Sequence, residues 1–213
     1  MLPAKNEIQN DSLINWNRFS SSLIIETKRG DSTYTSSAVA IGRNMLLTAA
    51  HSVDCIDSGD VYLQDSGKSI RFKKSIIHPG YNPNKSFYLN DIAIIVLEHN
   101  LPNNIYIEEL DNDIDFKTGE ELQRIGFGLR SNQNLKTWTT PKFEGNTNQN
   151  LNLILKDFNS VIGDSGGPIY KKNNDKLNLV GIHSTLEGES KTYVVNILSY
   201  YSWINSNKTL KSV

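Results

Sequence analysis

Ser165 stands in VIGDSGGPIY (161–170), between small residues and an acid. A serine hydroxyl is a poor nucleophile near neutral pH. It needs a base within hydrogen-bond reach and a third group to orient that base. The chain has four histidines, at 51, 78, 99 and 183. His51 ends the small-residue run LLTAAH, and Asp91 opens the apolar stretch of LNDIAIIVLE. An acid there is costly unless a partner satisfies it. Together these groups could attack a carbonyl. Ser165 would add to the carbon, His51 would take the hydroxyl proton and return it to the leaving group, and Asp91 would hold the imidazole tautomer. The oxyanion so formed needs preorganised amide donors. A GDSGG turn can aim the N–H groups of Gly163 and Ser165 at one point, with Gly163 and Gly166 permitting the backbone shape. Each stretch alone has a plainer reading: strand composition for TAAH, a capped strand start for NDIA, a bend for the glycines.

The elements that must position these groups read as strands. Segments rich in Val, Ile, Tyr and Phe occur at 21–26, 36–42, 44–50, 60–64, 70–78, 91–99, 121–128, 152–158, 167–172, 177–184 and 192–197. Turn-forming clusters such as DSGD, HPGYNPNKS and KKNNDK separate them. The stretch 143–152 (FEGNTNQNLN) reads as an exposed loop, and the polar passage 100–119 as a join between two halves. Only the tail SYYSWINSNKTLK reads as a helix, with Tyr200, Trp203 and Ile204 on one face. Many short strands without intervening helices mean an all-β sandwich or barrels.

TAAH, NDIAII and GDSGGP, in that order, resemble the chymotrypsin/trypsin family of serine endopeptidases, whose triad has this chain order. GFG (126–128), GIHS (181–184) and YVVNILSYYSWI (193–204) extend the resemblance over most of the chain. The resemblance implies two packed antiparallel six-stranded β-barrels, one over about 20–110 and one over about 115–198, and a C-terminal helix at about 199–208. It implies His51, Asp91 and Ser165 as catalytic residues, and the amides of Gly163 and Ser165 as the oxyanion hole. Ser184 matches a serine that helps hold the triad aspartate. The implied reaction is peptide-bond hydrolysis through an acyl-enzyme, with a protein or peptide substrate and with neither cofactor nor metal.

The chain departs from the family's cysteine pattern. Ser52, Ser36 and Val161 stand where relatives have cysteines, and the one cysteine, Cys55, cannot form an internal disulfide. For the pocket, the resemblance points to Asn159, Ser160, His183, Ser184, Thr185, Leu186 and Thr192. Asn159 occupies the place where trypsin-like enzymes carry the acid that binds Arg or Lys. GIHS resembles the glutamyl endopeptidases and exfoliative toxins, in which the histidine and a hydroxyl residue grip a glutamate; His183 and Ser160 match that pair. The plain alternative is a histidine bonded to backbone or water. Leu186 and Thr192 stand near where open pockets have glycines. If they fill the pocket, small side chains are preferred, as in elastases. Lys191 reads as solvated.

The family's activation step implies a new N-terminal amine, aligned with Ile8, burying itself against Asp164 after loss of a propeptide over 1–7. Bulk composition agrees with an enzyme of this kind. There are 22 basic and 23 acidic residues, for a net charge of −1, with no basic patch for nucleic acid and no membrane-binding helix. A monomer, secreted or periplasmic and with its export signal removed, is the expectation. A pseudoprotease or binding module on the same fold, and a toxin with one narrow target, are the competing readings.

Overall fold

The computed structural model describes residues 17–63, 66–84, 89–130, 133–134, 136–147, 149–174 and 176–209. The first half forms β1 (Ser22–Arg29), β2 (Ser32–Gly42), β3 (Met45–Thr48), the short helix α1 (Ala50–Val53), β4 (Ser58–Leu63), β5 (Lys68–Ile77) and β6 (Ala93–Leu97). These strands close into a barrel in the order β1-β2-β3-β6-β5-β4. The second half forms β7 (Gln123–Gly126), β8 (Leu129–Arg130), β9 (Gln133–Asn134), β10 (Thr137–Thr139), β11 (Lys142–Thr147), β12 (Asn152–Lys156), β13 (Pro168–Asn173), β14 (Lys176–Glu187) and β15 (Lys191–Asn196). Seven of them make one antiparallel sheet in the order β10-β7-β13-β14-β15-β12-β11, and β8 and β9 pair as a separate ribbon. The large sheet curls back on itself. The residues leading into β7 meet β11 through the Glu121↔Lys142 bridge and the Phe143 N–H to Glu120 carbonyl bond (2.9 Å). A 3₁₀ turn (Ile197–Tyr200) leads into α2 (Tyr201–Thr209).

Strand side chains alternate between faces, and here both faces of the central strands are buried. On β2, Ala38 and Ala40 point into the first barrel with Leu23, Ile25, Val61 and Ile95. Val39 and Ile41, one residue along, point outward and pack with Ile94, Ile182 and Val195 between the two halves. A third cluster, around Leu122, Leu153, Leu155 and Val194, fills the second half. Burial on both faces explains why AVAI, MLLT and AIIVL read as continuous apolar runs.

The expected loop at 143–152 is corrected by β11. Its Phe143 is buried and its neighbours Lys142 and Glu144 are exposed, so an edge strand with one wet face looks polar in sequence. The passage without strands between β6 and β7 does join the halves. Its Glu108 is 2% exposed and accepts from Arg18 Nη1 (2.7 Å), Ser21 Oγ (2.5 Å) and Tyr170 OH (2.9 Å). One carboxylate thus ties the linker to both halves. At the C-terminus, His78 of the first half packs against the Tyr200 and Trp203 rings (centroids 5.1 Å from each), and Tyr200 OH donates to Asn90 Oδ1 (3.0 Å).

Candidate active site

Antiparallel pairing sets the first two groups side by side. β3 pairs with β6 so that Thr48 faces Ala93. The chain leaving β3 therefore reaches His51, in α1, beside the chain entering β6 at Asp91. Asp91 is fully buried, and three donors meet its carboxylate: the His51 N–H (to Oδ1, 2.8 Å), the His51 ring at Nδ1 (to Oδ2, 2.8 Å) and Ser184 Oγ (to Oδ2, 2.6 Å). The acid left unexplained in an apolar stretch is thus satisfied. With Nδ1 bonded to the carboxylate, the Nε2 edge of His51 is the one left for chemistry.

The second half supplies the serine. Ser165 lies in the turn before β13, and its Oγ donates to the Ser184 carbonyl (3.2 Å). Among the described residues no hydrogen bond joins Ser165 Oγ to His51. Rotation about χ1 redirects a serine hydroxyl, and such bonds often form only with substrate in place. The turn is clamped from both halves. The Ser37 N–H reaches the Ser165 carbonyl (2.8 Å), and Ser37 Oγ donates to the Gly163 carbonyl (2.9 Å). The Asp164 N–H goes to the Val161 carbonyl (3.1 Å) and the Gly166 N–H to the His183 carbonyl (2.8 Å). The alternate amides, those of Gly163 and Ser165, have no acceptor among the described residues. Gly163 takes φ +99°, a region that L side chains rarely adopt.

A cleft of about 460 Å³ runs between the halves and is lined by His51, Ser165 and Gly163, and by Ser160, His183, Ser184, Thr185 and Leu186. Asn159 and Thr192 are not among the residues that line it. The Asn159 N–H is turned to Asp157 Oδ1 (2.9 Å). Thr192 is fully buried on β15, opposite Leu186. Lys191, partly exposed, pairs with Glu187 (2.8 Å). Ile8 lies outside the described residues.

His183 is 2% exposed, and its Nε2 lies 2.6 Å from Ser160 Oγ, while Nδ1 has no partner among the described residues. Burial, helped by the nearby Arg124 charge, pushes its pKa from 6.5 down to about 4. The unfolded chain therefore takes up this proton first as the pH falls. The stability so contributed is fully present above about pH 6.5 and is lost progressively towards pH 4. The gap corresponds to roughly 3 kcal/mol. Urea midpoints measured between pH 7 and pH 4 should fall less steeply in His183→Gln than in the wild type; parallel curves would contradict this assignment.

Sequence reasoning missed other residues of the cleft wall, among them Arg29, Tyr34, Thr35 and Ile162. Arg29 Nη2 donates to the His51 carbonyl (2.6 Å), and its guanidinium lies 5.3 Å from the centre of the Tyr34 ring. Ile162 is 90% exposed, and an exposed isoleucine beside the GDSGG turn was the available signal. Arg124, fully buried beneath this turn, was missed as well.

A family model described as Trypsin matches residues 9–204. Among curated proteins, the chain is similar to the CLIP domain-containing serine proteases B10 (23% identical) and C9 (26%) of Anopheles gambiae. The matches cover 85% and 80% of this chain but 64% and 59% of those proteins. It is also similar to chymotrypsin-like elastase family member 1 of Macaca fascicularis, 25% identical over 92% of this chain and 86% of that protein. Two solved structures share the fold. One, described as HL collagenase, has a TM-score of 0.77 at 22% identity and covers 92% of this chain and 96% of its own. The other, described as GrC, has a TM-score of 0.79 at 21% identity and covers 92% and 97%.

Proposed function

Because the chain belongs to the trypsin family of serine proteases, we propose that it is a serine endopeptidase in which Ser165 is the nucleophile, His51 the general base and Asp91 the orienting acid. The observation that carries this reading is the buried Asp91 carboxylate, 2.8 Å from His51 Nδ1, in one cleft with Ser165. His51 would take the Ser165 proton as the hydroxyl adds to the scissile carbonyl, then deliver it to the leaving amine. The oxyanion would be received by the Gly163 and Ser165 amides. Water, activated by the same imidazole, would release the acyl group. A fluorophosphonate probe should label Ser165 in the wild type and not in Ser165→Ala. No labelling of a folded wild-type protein would favour a binding module instead.

For the residue before the cleaved bond the reading is glutamate, with aspartate second. A carboxylate entering the cleft that Ser160 and His183 line would meet Ser160 Oγ and the His183 ring, and its negative charge would favour protonation of His183. A charge-assisted hydrogen bond is worth about 1.5–3 kcal/mol, so Glu should exceed Gln in kcat/KM by about ten- to a hundred-fold. In His183→Val that ratio should collapse towards one. One observation favours a second reading. Leu186 lines the cleft and is 38% exposed, so it could narrow the pocket to small side chains, as the similarity to an elastase would suggest. A peptide library separates the two, since Ala or Val ahead of Glu would leave only the elastase-like reading.

A further inference from the structure

The cleft has a wall that the chemistry above leaves unused. The second half lines it with Ser160, His183 and Leu186, and the first half with Arg29, Tyr34 and Thr35. No lining residue carries a carboxylate, and Arg29 is the one lining residue with a permanent positive charge. Strand alternation places it there. Thr27 and Arg29, two apart on β1, share a face. Both reach α1: Thr27 Oγ1 donates to the Ser52 carbonyl (3.3 Å) and Arg29 Nη2 to the His51 carbonyl (2.6 Å). Tyr34 lies opposite Thr27 on β2, so it stands on the same face, diagonal to Arg29. Its half-exposed ring has the guanidinium 5.3 Å from its centre.

The fold holds this wall still but leaves the charge unanswered. At the tip of the β1–β2 hairpin, the Gly30 N–H goes to Asp57 Oδ2 (2.7 Å), and the Asp57 N–H goes to the Lys28 carbonyl (2.8 Å). A wall fixed in advance lowers the ordering cost of binding. Among the described residues no carboxylate pairs with Arg29, and its Nε–H is buried without an acceptor. A buried donor left so calls for an explanation outside the fold's own stability. The position suggests one. His51 hands its proton to the leaving amine, so the residues after the cleaved bond begin at the imidazole. Arg29 is bonded to the carbonyl of that same histidine, across the cleft from Ser160 and His183.

We propose that Arg29, steadied by Tyr34, is a specificity-determining residue for the leaving side of the substrate, and that it selects peptides with Glu or Asp among the first three residues after the cleaved bond. The inference rests on Ser165 and His51 being nucleophile and base. An uncompensated cation in a cleft without acids raises the local concentration of acidic peptides and attracts their carboxylates at close range.

The experiment uses peptides that share the residue the wild type cleaves best before the bond. Glu, Gln and Lys are placed in turn at each of the first three positions after it, and kcat/KM is measured on the full chain. At one or more of these positions Glu should exceed Gln by about five-fold and Lys by about ten-fold. Raising NaCl from about 0.05 to 0.5 M should cut that preference about two-fold or more. In Arg29→Gln, which keeps a donor for the His51 carbonyl, the ratio of Glu to Gln should fall towards one, and Arg29→Lys should keep Glu ahead. Equal rates for Glu, Gln and Lys at all three positions in the wild type would overturn the inference. So would an Arg29→Gln protein that loses kcat alike on every peptide with its ratios unchanged, since Arg29 would then serve only the His51 carbonyl. If Arg29→Gln does not fold, by near-UV circular dichroism, the wild-type preference and its salt dependence decide, and the absence of either overturns the inference. A wild type that labels with fluorophosphonate and cleaves without the acidic preference ends this inference alone. A folded wild type that neither labels nor cleaves ends the endopeptidase reading, and this inference with it.

Discussion

Ser165→Ala should lower kcat on a good peptide substrate by about 10⁴- to 10⁶-fold, the loss expected when a member is removed from the proposed triad. His51→Ala should cost about as much, and the double variant little more, as for two groups that act as one unit. Neither change should unfold the protein. The Ser165 hydroxyl makes one long bond, 3.2 Å to the Ser184 carbonyl, and the stability cost should be about 1 kcal/mol or less. The thermal midpoint and kcat measured on the same preparation check both halves. Wild-type turnover in Ser165→Ala would remove this serine from the mechanism. Multiplicative losses in the double variant would mean that the two residues do not cooperate.

Asp91→Asn should reduce kcat by about 10⁴-fold, with only a modest change in KM. The Asp91 carboxylate receives three donors, two from His51 and one from Ser184. A carboxylate accepts at both oxygens, whereas an amide must present an NH₂ on one side. If that side faces His51 Nδ1, the imidazole answers with the other tautomer. Its Nε2 then carries a proton and cannot take one from Ser165. If it faces the His51 amide or Ser184, a buried donor is left unpaired. The measurement is kcat together with fluorophosphonate labelling at saturating probe. Retention of more than about a tenth of wild-type kcat would show that Asp91 does not set the tautomer.

Much of the frame was legible before any coordinates. The central strands bury both faces, so β2, β3 and β6 stand out as apolar runs, and the turn clusters between them bound each one. β10 and β11 were not seen. They form the two ends of the second sheet; β10 has only three residues, and β11 turns Lys142 and Glu144 to solvent, which is how a loop reads as well. In the site, His51 and Asp91 were legible because their neighbours explain neither of them. A histidine closing a run of small residues and an acid opening an apolar strand both ask for a partner, and β3–β6 pairing supplies each with the other. Counting from a motif gives chain position and not side-chain direction. Asn159 and Thr192, reached by such counting, are not among the residues lining the cleft, and Thr192 pairs with Leu186 on the neighbouring strand.

The linear order therefore determined which chemical groups are present and which could serve one another: a histidine, an acid, a serine in a glycine turn, and a second histidine with a matching hydroxyl. These are local signals, each carried by a side chain whose cost or oddity shows against its nearest neighbours. Only the tertiary structure decided that Arg124 and Asp164 lie together. Arg124 and Asp164 are 40 residues apart, and in sequence an arginine within QRIGFG is one polar residue in a strand. Whether it faces water or a buried carboxylate depends on how β7 packs against the turn before β13. The pairing of two buried charges is a property of that packing, because the low-dielectric site that makes an isolated charge untenable does not exist until both strands are in place.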